Sequence, residues 1–355
     1  MQNNRLHDQQ QTWSVEDFLR LLLQTLPLKY ISRLYGSEEY QLSANEAEKF
    51  LYKYPNSKQY NTIRNILGQS FYRIGNFTRA EEIFESLINK AEFSEDAIFY
   101  LAMINIENSD YNKAYKYAKQ IKKNLLKEKI IFSIGLGEYS SKNIEKSKNY
   151  FSEVRSMRGA YKGLASFYLG IMSFESNDYA TTIAYLKEHL EAKDNDLDRT
   201  SESYYKMAIS LERLGYKNEA YNFYLKIEKE FPSSKYYSNS LKSIFYILLL
   251  NKNNEGIIEY AEKLRNSEFE ELIFVETGKY FYENNIDDTA EKYLKVTVDK
   301  YSNLDGIYYL ARLYMKSSKY DDSIALLERI KEDENYIYMD NSISVTFYKL
   351  WRAGN

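Results

Sequence analysis

Apolar residues recur along this chain at i, i+3, i+4 and i+7, and no segment alternates at period two for long. That pattern predicts amphipathic helices rather than strands. The helical segments themselves repeat. One phrase has an aromatic residue, two further residues, a small residue, and an apolar residue four positions on. It reads Phe77-Thr78-Arg79-Ala80 with Phe84, Tyr111-Asn112-Lys113-Ala114 with Ala118, Tyr179-Ala180-Thr181-Thr182 with Leu186, and Tyr320-Asp321-Asp322-Ser323 with Leu327. Weaker copies centre on Ser43, Ser147, Ala220, Gly256 and Ala290, so the small residues stand 33 to 38 positions apart.

A second small residue stands 12 positions before most of these: Gly68, Ala102, Gly135, Gly170, Ala208, Gly278 and Ala311, with Ile244 the exception. Two small residues on neighbouring antiparallel helices let the helices approach where larger side chains would hold them apart. Irregular packing is expected around Ile244. Pro55 and Pro232 follow Tyr54 and Phe231 and must stop a helix. Both continue alike, as Asn56-Ser57-Lys58 and Ser233-Ser234-Lys235, and the serines can cap the next helix. Tyr301-Ser302-Asn303-Leu304 is a degenerate third copy. Turns between paired helices are expected at Gly75-Asn76, Asn108, Asn143, Asn177, Gly215, Asn253 and Asn284-Asn285.

A helix–turn–helix unit near 34 residues, with these small and aromatic positions, resembles the tetratricopeptide repeat (TPR) family over residues 38–333. The resemblance implies an all-α chain, an α-solenoid superhelix of about eight TPR-like repeats with capping helices at both ends. Residues 1–12 read as a disordered polar tail, 13–37 as an N-terminal capping region, 38–333 as the array, and 334–355 as a C-terminal cap. The Tyr-Pro-Asn-Ser-Lys phrase is similar to that of bacterial envelope TPR proteins, such as the lipoproteins that assist outer-membrane barrel assembly.

The N-terminal region starts a helix at Trp13-Ser14-Val15-Glu16-Asp17-Phe18, where Ser14 can cap, Asp17 can reach back and Trp13 can pack on Phe18. Leu19, Leu21, Leu22, Leu23 and Leu26 make that helix too apolar for free solvation. It either covers the first repeat or docks on a partner or membrane surface. Residues 343–351 read as a final helix. The apolar runs at 18–28 and 244–250 fall short of the ~20 residues that span a bilayer, so a soluble chain is expected. No secretory h-region opens the sequence.

Composition narrows the chemistry. With 48 basic and 51 acidic side chains, the net charge of −3 removes the usual electrostatic reason to bind nucleic acid. There is no cysteine, which excludes disulfides, thiolate nucleophiles and Cys-based zinc sites in this sequence, and only His7 and His189 remain for histidine chemistry. His189 reads as a surface residue. Gly135-Leu136-Gly137 suggests a dinucleotide fingerprint, but Ser140 replaces the third glycine and no strand precedes it. Asp194-Asn195-Asp196-Leu197-Asp198 opens like a calcium loop, yet Arg199 takes the glycine position and Tyr205 that of the glutamate. An exposed acidic loop is the simpler account. Lys116, Lys119, Lys122, Lys123, Lys127 and Lys129 interleave with aromatics, and Glu128 interrupts them. They read as a solvated helix end and linker that an acidic partner could touch. The 37 tyrosines are explained largely by the repeated aromatic position, with rings between helices and hydroxyls in water.

No catalytic set, cofactor site or metal site follows, and the sequence reads as a non-catalytic protein–protein interaction scaffold. In the family register, residues on the first helix of each repeat line a concave channel. Those positions are Thr62, Asn65, Gln69 and Tyr72; Asp96, Phe99, Met103 and Ile106; Lys129, Phe132, Leu136 and Tyr139; Leu164, Phe167, Ile171 and Phe174; and Glu202, Tyr205, Ile209 and Glu212. The candidate partner-binding set is Tyr72, Phe99, Met103, Ile106, Phe132, Leu136, Tyr139, Phe167, Ile171, Phe174, Tyr205 and Ile209. Such a strip suits an amphipathic helix or an extended hydrophobic peptide. Three alternatives stay open: a slipped register that makes these residues core, a superhelix tight enough to bury them, or the residue 19–26 helix folded into the channel. The basic clamp with which chaperone-binding TPR domains hold a carboxylate terminus is missing. The expected settings are a bacterial envelope assembly, outer-membrane biogenesis or a flagellar motor, with a periplasmic chain, or a cytoplasmic adaptor. A nucleic-acid-binding repeat protein ranks lower. The partners expected are proteins, with peripheral membrane association and oligomeric state left open.

Overall fold

The apolar period is realised as eighteen successive helices in the computed structural model, which describes residues 15–193 and 195–329, with side chains from residue 26. No strand occurs among the described residues. The tail 1–12, the Trp13-Ser14 helix start and the helix expected at 343–351 lie outside them. In order the helices are α1 (Val15–Gly36), α2 (Tyr40–Lys53), α3 (Tyr60–Ile74), α4 (Phe77–Leu87), α5 (Ser94–Glu107), α6 (Tyr111–Ala118), α7 (Asn124–Ser140), α8 (Ile144–Met157) and α9 (Lys162–Glu175). They continue as α10 (Tyr179–Glu191), α11 (Leu197–Arg213), α12 (Lys217–Glu230), α13 (Tyr237–Leu250), α14 (Asn254–Lys263), α15 (Glu270–Glu283), α16 (Asp287–Tyr301), α17 (Leu304–Lys316) and α18 (Tyr320–Glu328). The chain divides into two compact units, Met1–Met172 and Ser173–Asn355, and the division falls inside α9. Each unit is a run of helix–turn–helix repeats in which a helix packs on its neighbours in sequence.

The twelve-residue register has a direct physical cause. The Ser43 hydroxyl donates to the Ile31 carbonyl at 3.3 Å, Ser147 to Gly135 at 2.8 Å and Ser323 to Ala311 at 2.8 Å. A buried serine on the second helix thus bonds the backbone of the first, which requires close approach. The first small residue receives a large side chain 16 positions on. A Cβ at Gly68 would stand 2.9 Å from Phe84, one at Gly135 2.9 Å from Phe151, and one at Gly278 2.6 Å from Leu294. Ile244 is fully buried, so the larger side chain is accommodated where α13 packs on α14.

Turns keep the same register. Nine residues with left-handed backbone, Glu38, Gly75, Ser109, Lys142, Asn177, Gly215, Lys252, Asn285 and Ser318, each sit between the two helices of a repeat. The residue after these turns often caps the next helix. Asn76, Asp110, Asp178 and Asn253 accept from the backbone N–H three residues on. Pro55 and Pro232 end α2 and α12 as expected. Ser57 and Ser234 do not cap helices; each accepts from the N–H two residues on, at 3.2 Å, and so shapes the turn ahead of the helix. Second helices are joined to one another by ion pairs, Glu48–Arg79 and Glu81–Lys113 in the first unit and Glu228–Lys263 and Glu262–Lys292 in the second.

Candidate partner-binding face

In the first unit α3, α5 and α7 lie side by side. They carry the first three sets of predicted inward positions, and α9 carries Phe167 and Ile171; these positions separate by depth. Phe132, Phe167 and Ile171 are buried, at 6%, 5% and 7% exposure. The Phe132 ring is enclosed by Phe151, Tyr161 and Tyr168, with centroids 5.4, 5.3 and 5.8 Å away. Phe167 stands edge-on to Tyr168 at 5.3 Å. These three residues are core, and a partner could not reach them without opening the fold.

Tyr72, Phe99, Met103, Ile106, Leu136 and Tyr139 are half-buried and keep part of their surface open. Tyr72 packs against Phe77 and Tyr100 at 5.6 and 5.4 Å and donates to Glu107 at 3.4 Å. Burial, with the Glu107 carboxylate beside it, pushes its hydroxyl pKa up to about 12. The Lys129 ammonium lies 5.4 Å from the centre of the Phe99 ring, within cation–π range. In the second unit, Phe174 lies under Lys206 at 4.3 Å, and Tyr205 stacks on Tyr236 at 4.6 Å. Tyr205 and Ile209 pack against that unit's core.

The tyrosine hydroxyls differ from expectation. Among the described residues, tyrosine hydroxyls that donate to glutamate carboxylates include Tyr72 to Glu107, Tyr115 to Glu153, Tyr224 to Glu212, Tyr260 to Glu228, Tyr293 to Glu262, Tyr301 to Glu270 and Tyr314 to Glu291. Tyr224 and Tyr293 are fully buried. At Tyr224, a repeated aromatic position, the hydroxyl therefore meets Glu212 rather than water, because a buried phenol needs an acceptor, whereas Tyr320 is exposed. Several of the acceptors stand about one repeat away, for example 31 residues between Glu262 and Tyr293, whereas Glu212 is 12 residues from Tyr224.

Other sequence features find structural duties. Gly135 faces the Phe151 ring and Gly137 the Tyr111 ring, so Gly-Leu-Gly serves helix packing. Asp196 caps α11 by accepting from the Arg199 N–H and pairs with the Arg199 guanidinium at 3.0 Å. Asp194 lies outside the described residues. His189 is fully buried rather than on the surface. Glu128 is buried too; it accepts from the Tyr161 N–H at 3.2 Å, in space that a side chain at Gly159 would fill. The lysine run is dispersed: Lys123 pairs with Glu95 at 3.4 Å and Lys119 lies over Tyr115 at 4.5 Å. Among the described residues no helix is long and apolar enough to cross a membrane.

Residues 66–93 and 202–234, which fall on α3–α4 and α11–α12, match the tetratricopeptide repeat family. Those two segments carry tetratricopeptide repeats. A curated relative, the intraflagellar transport protein 56 homolog of Caenorhabditis elegans, is 22% identical over 209 residues, covering 59% of this chain and 34% of that protein. The chain thus spans about a third of the length of the relative it matches. Among solved structures it is similar to PilF of Pseudomonas aeruginosa, with 12% identity, a TM-score of 0.43, and 62% and 97% of the two chains covered. It is also similar to PilW, a type IV pilus biogenesis factor, with 10% identity, a TM-score of 0.42, and 64% and 98% covered. A TPR repeat-containing protein of Cytophaga hutchinsonii gives 15% identity, a TM-score of 0.43, and 80% and 99% covered.

Proposed function

We propose that the protein is a non-catalytic scaffold that holds an amphipathic helix or extended hydrophobic segment of a partner protein against the first-helix face of its first unit. One observation carries the reading. Met103 and Ile106 on α5, and Leu136 and Tyr139 on the neighbouring α7, keep apolar surface open at equivalent positions. Half-buried apolar side chains on adjacent helices form a strip into which side chains at helical spacing can fit. Phe174, Tyr205 and Ile209 supply a similar set in the second unit. The setting proposed is a bacterial envelope assembly, such as outer-membrane biogenesis or a flagellar motor. It rests on the likeness of Tyr54-Pro55-Asn56-Ser57-Lys58 to the repeats of envelope TPR proteins. An adaptor in the cytoplasm would use the same face, and cell fractionation separates the two settings.

The face is tested with Met103→Asp and Leu136→Asp combined. Both side chains are part-exposed, so helicity and melting temperature are expected to stay near those of the parent protein. Partners identified by mass spectrometry on the immobilised parent chain are expected to be lost from the variant. Retention of the same partners by both would overturn the reading. Phe132→Asp is the contrast, because a carboxylate in its enclosed site costs ~3 kcal/mol or more and is expected to unfold its repeat.

A further inference from the structure

The first helix pair carries an outer surface that the repeat packing leaves open. On α1, the exposed side chains include Leu26, Lys29, Tyr30 and Arg33, at the i, i+3, i+4 and i+7 spacing of one stripe. On α2 they are Gln41, Leu42, Asn45, Lys49, Tyr52 and Lys53, again one stripe. Leu26, Tyr30, Leu42 and Tyr52 are most of the large apolar side chains exposed in the first unit among the described residues, Ile74, Leu125 and Ile144 being the others. Tyr52 is 92% exposed. The two stripes meet at a groove between the helices, whose lining includes Tyr30 of α1 and Lys49 and Lys53 of α2. This is not the inward register of the first helices, which falls on Leu28, Ser32 and Tyr35, 37 positions before Asn65, Gln69 and Tyr72.

The charge of this surface is one-sided. Along α1 from Leu26 and along α2, every exposed charged side chain is a cation: Lys29, Arg33, Lys49 and Lys53. The two carboxylates of α2, Glu46 and Glu48, are half-buried and ion-paired, to Lys49 and to Arg79 of α4. Glu38 and Glu39 sit in the connecting turn, at the far end of the hairpin from Leu26, Tyr52 and Lys53. By contrast α4, the second helix of the next repeat, exposes Glu82 and Glu85 beside Arg79. In the sequence, Leu19, Leu22 and Leu23 stand seven, four and three positions before Leu26, so the apolar spacing continues toward the start of α1. Of the charged residues there, Glu16 falls at the edge of that spacing and Asp17 and Arg20 fall off it.

We infer that this face of α1 and α2 docks the protein on a bilayer surface rich in anionic lipid. Leucine and tyrosine side chains interleaved with lysine and arginine suit a helix that lies along an interface. The apolar groups enter the headgroup region, and the long cationic side chains reach the lipid phosphates. Each cation held near such a surface contributes about 1 kcal/mol. A second copy of the chain is a poorer occupant, because like faces would set Lys29, Arg33 and Lys53 against themselves. A nucleic acid would match the cations but leave Leu26 and Leu42 in water.

The test is flotation of the full chain with vesicles of phosphatidylcholine containing phosphatidylglycerol, against vesicles of phosphatidylcholine alone. Binding to the anionic vesicles is expected, and more weakly as salt is raised. Lys29→Gln/Lys53→Gln removes two exposed cations and is expected to lose about tenfold or more in affinity. Tyr30→Ser/Tyr52→Ser keeps every charge and is expected to lose a similar factor, because the apolar contact goes. All four side chains are exposed, so helicity is expected to stay unchanged in both variants. Lys116→Gln/Lys119→Gln, elsewhere in the first unit, is expected to bind as the parent does. Equal flotation with the two kinds of vesicle, or equal affinity of the Lys29/Lys53 variant, would overturn the inference. So would self-association by sedimentation velocity, or oligothymidylate binding by anisotropy, that this variant abolishes while the parent chain leaves the vesicles unbound.

Discussion

Glu262 gathers four donors onto one carboxylate: both nitrogens of the Arg265 fork, Lys292 at 2.9 Å and the hydroxyl of fully buried Tyr293 at 2.9 Å. The Arg265 fork, with Lys292 and Tyr293 added, holds its pKa at about 2 against a burial effect that would raise it. A carboxylate depressed on folding stabilises the fold above its unfolded pKa, and that contribution is lost as pH falls through the folded value. Glu262→Gln is therefore expected to lower urea resistance by about 1 kcal/mol near neutral pH, a figure kept small because the side chain is partly solvated. Between about pH 4.5 and pH 2 the difference from the parent chain is expected to vanish, and persistence of the gap in acid would show that shape, not charge, is involved. Tyr293→Phe removes one donor from the same group, so its cost of about 1 kcal/mol is expected not to add to that of Glu262→Gln. Such tyrosine–glutamate bonds were not legible as pairs, because residues one repeat apart meet only after the helices pack.

At the scale of helices, Gly278 and Gly75 do different things. Gly278 faces Leu294, whose Cγ and Cδ2 would stand 2.6 and 2.7 Å from an added Cβ. Gly278→Ala gains ~1 kcal/mol of helix propensity and meets an overpacking cost of ~1–3 kcal/mol. A net loss of about 1 kcal/mol is expected by thermal melting, and in a Leu294→Ala background the substitution is expected to become neutral or stabilising. Gly75 has nothing within 4 Å of an added Cβ but a φ of 84°, so Gly75→Ala is expected to cost about 1 kcal/mol from backbone strain alone, whatever its neighbours. The register of these positions was legible in the sequence. The residue that takes the left-handed turn was less so, since Ser109, Lys142, Lys252 and Ser318 do it as well as glycine and asparagine. Pairing of the flanking helices fixes the turn's length, and the local residue must comply.

Across the whole chain, each unit has its own core. One cluster runs from Ile31 to Ile104 and the other from Ala208 to Leu327. In repeat proteins stability is roughly a sum of repeat and neighbour terms, so damage stays local. Phe274→Ala, at a fully buried position in the second unit, is expected to cost about 3–5 kcal/mol there. Hydrogen exchange read by mass spectrometry is expected to speed up across α13–α17 while α3–α5 keep their protection. Uniform loss of protection in both units would mean that the chain unfolds as one. A repeat array was legible from spacing alone; its division at Met172 was not, because no break in the register accompanies it.

Phe132 and Leu136 mark where sequence stops and tertiary structure begins. They stand four residues apart on α7, on the same helical face, and the apolar period treats them alike. By itself the sequence determined that period, the twelve-residue pairing of small side chains, and the positions of turns and stops, all of which depend on neighbours close in the chain. Only the fold placed Phe151, Tyr161 and Tyr168 around Phe132 while leaving Leu136 part-exposed. It also left only cations among the exposed charges of α1, from Leu26 on, and of α2. Periodicity gives a side chain's angle around its helix, but its depth depends on what the next helix brings.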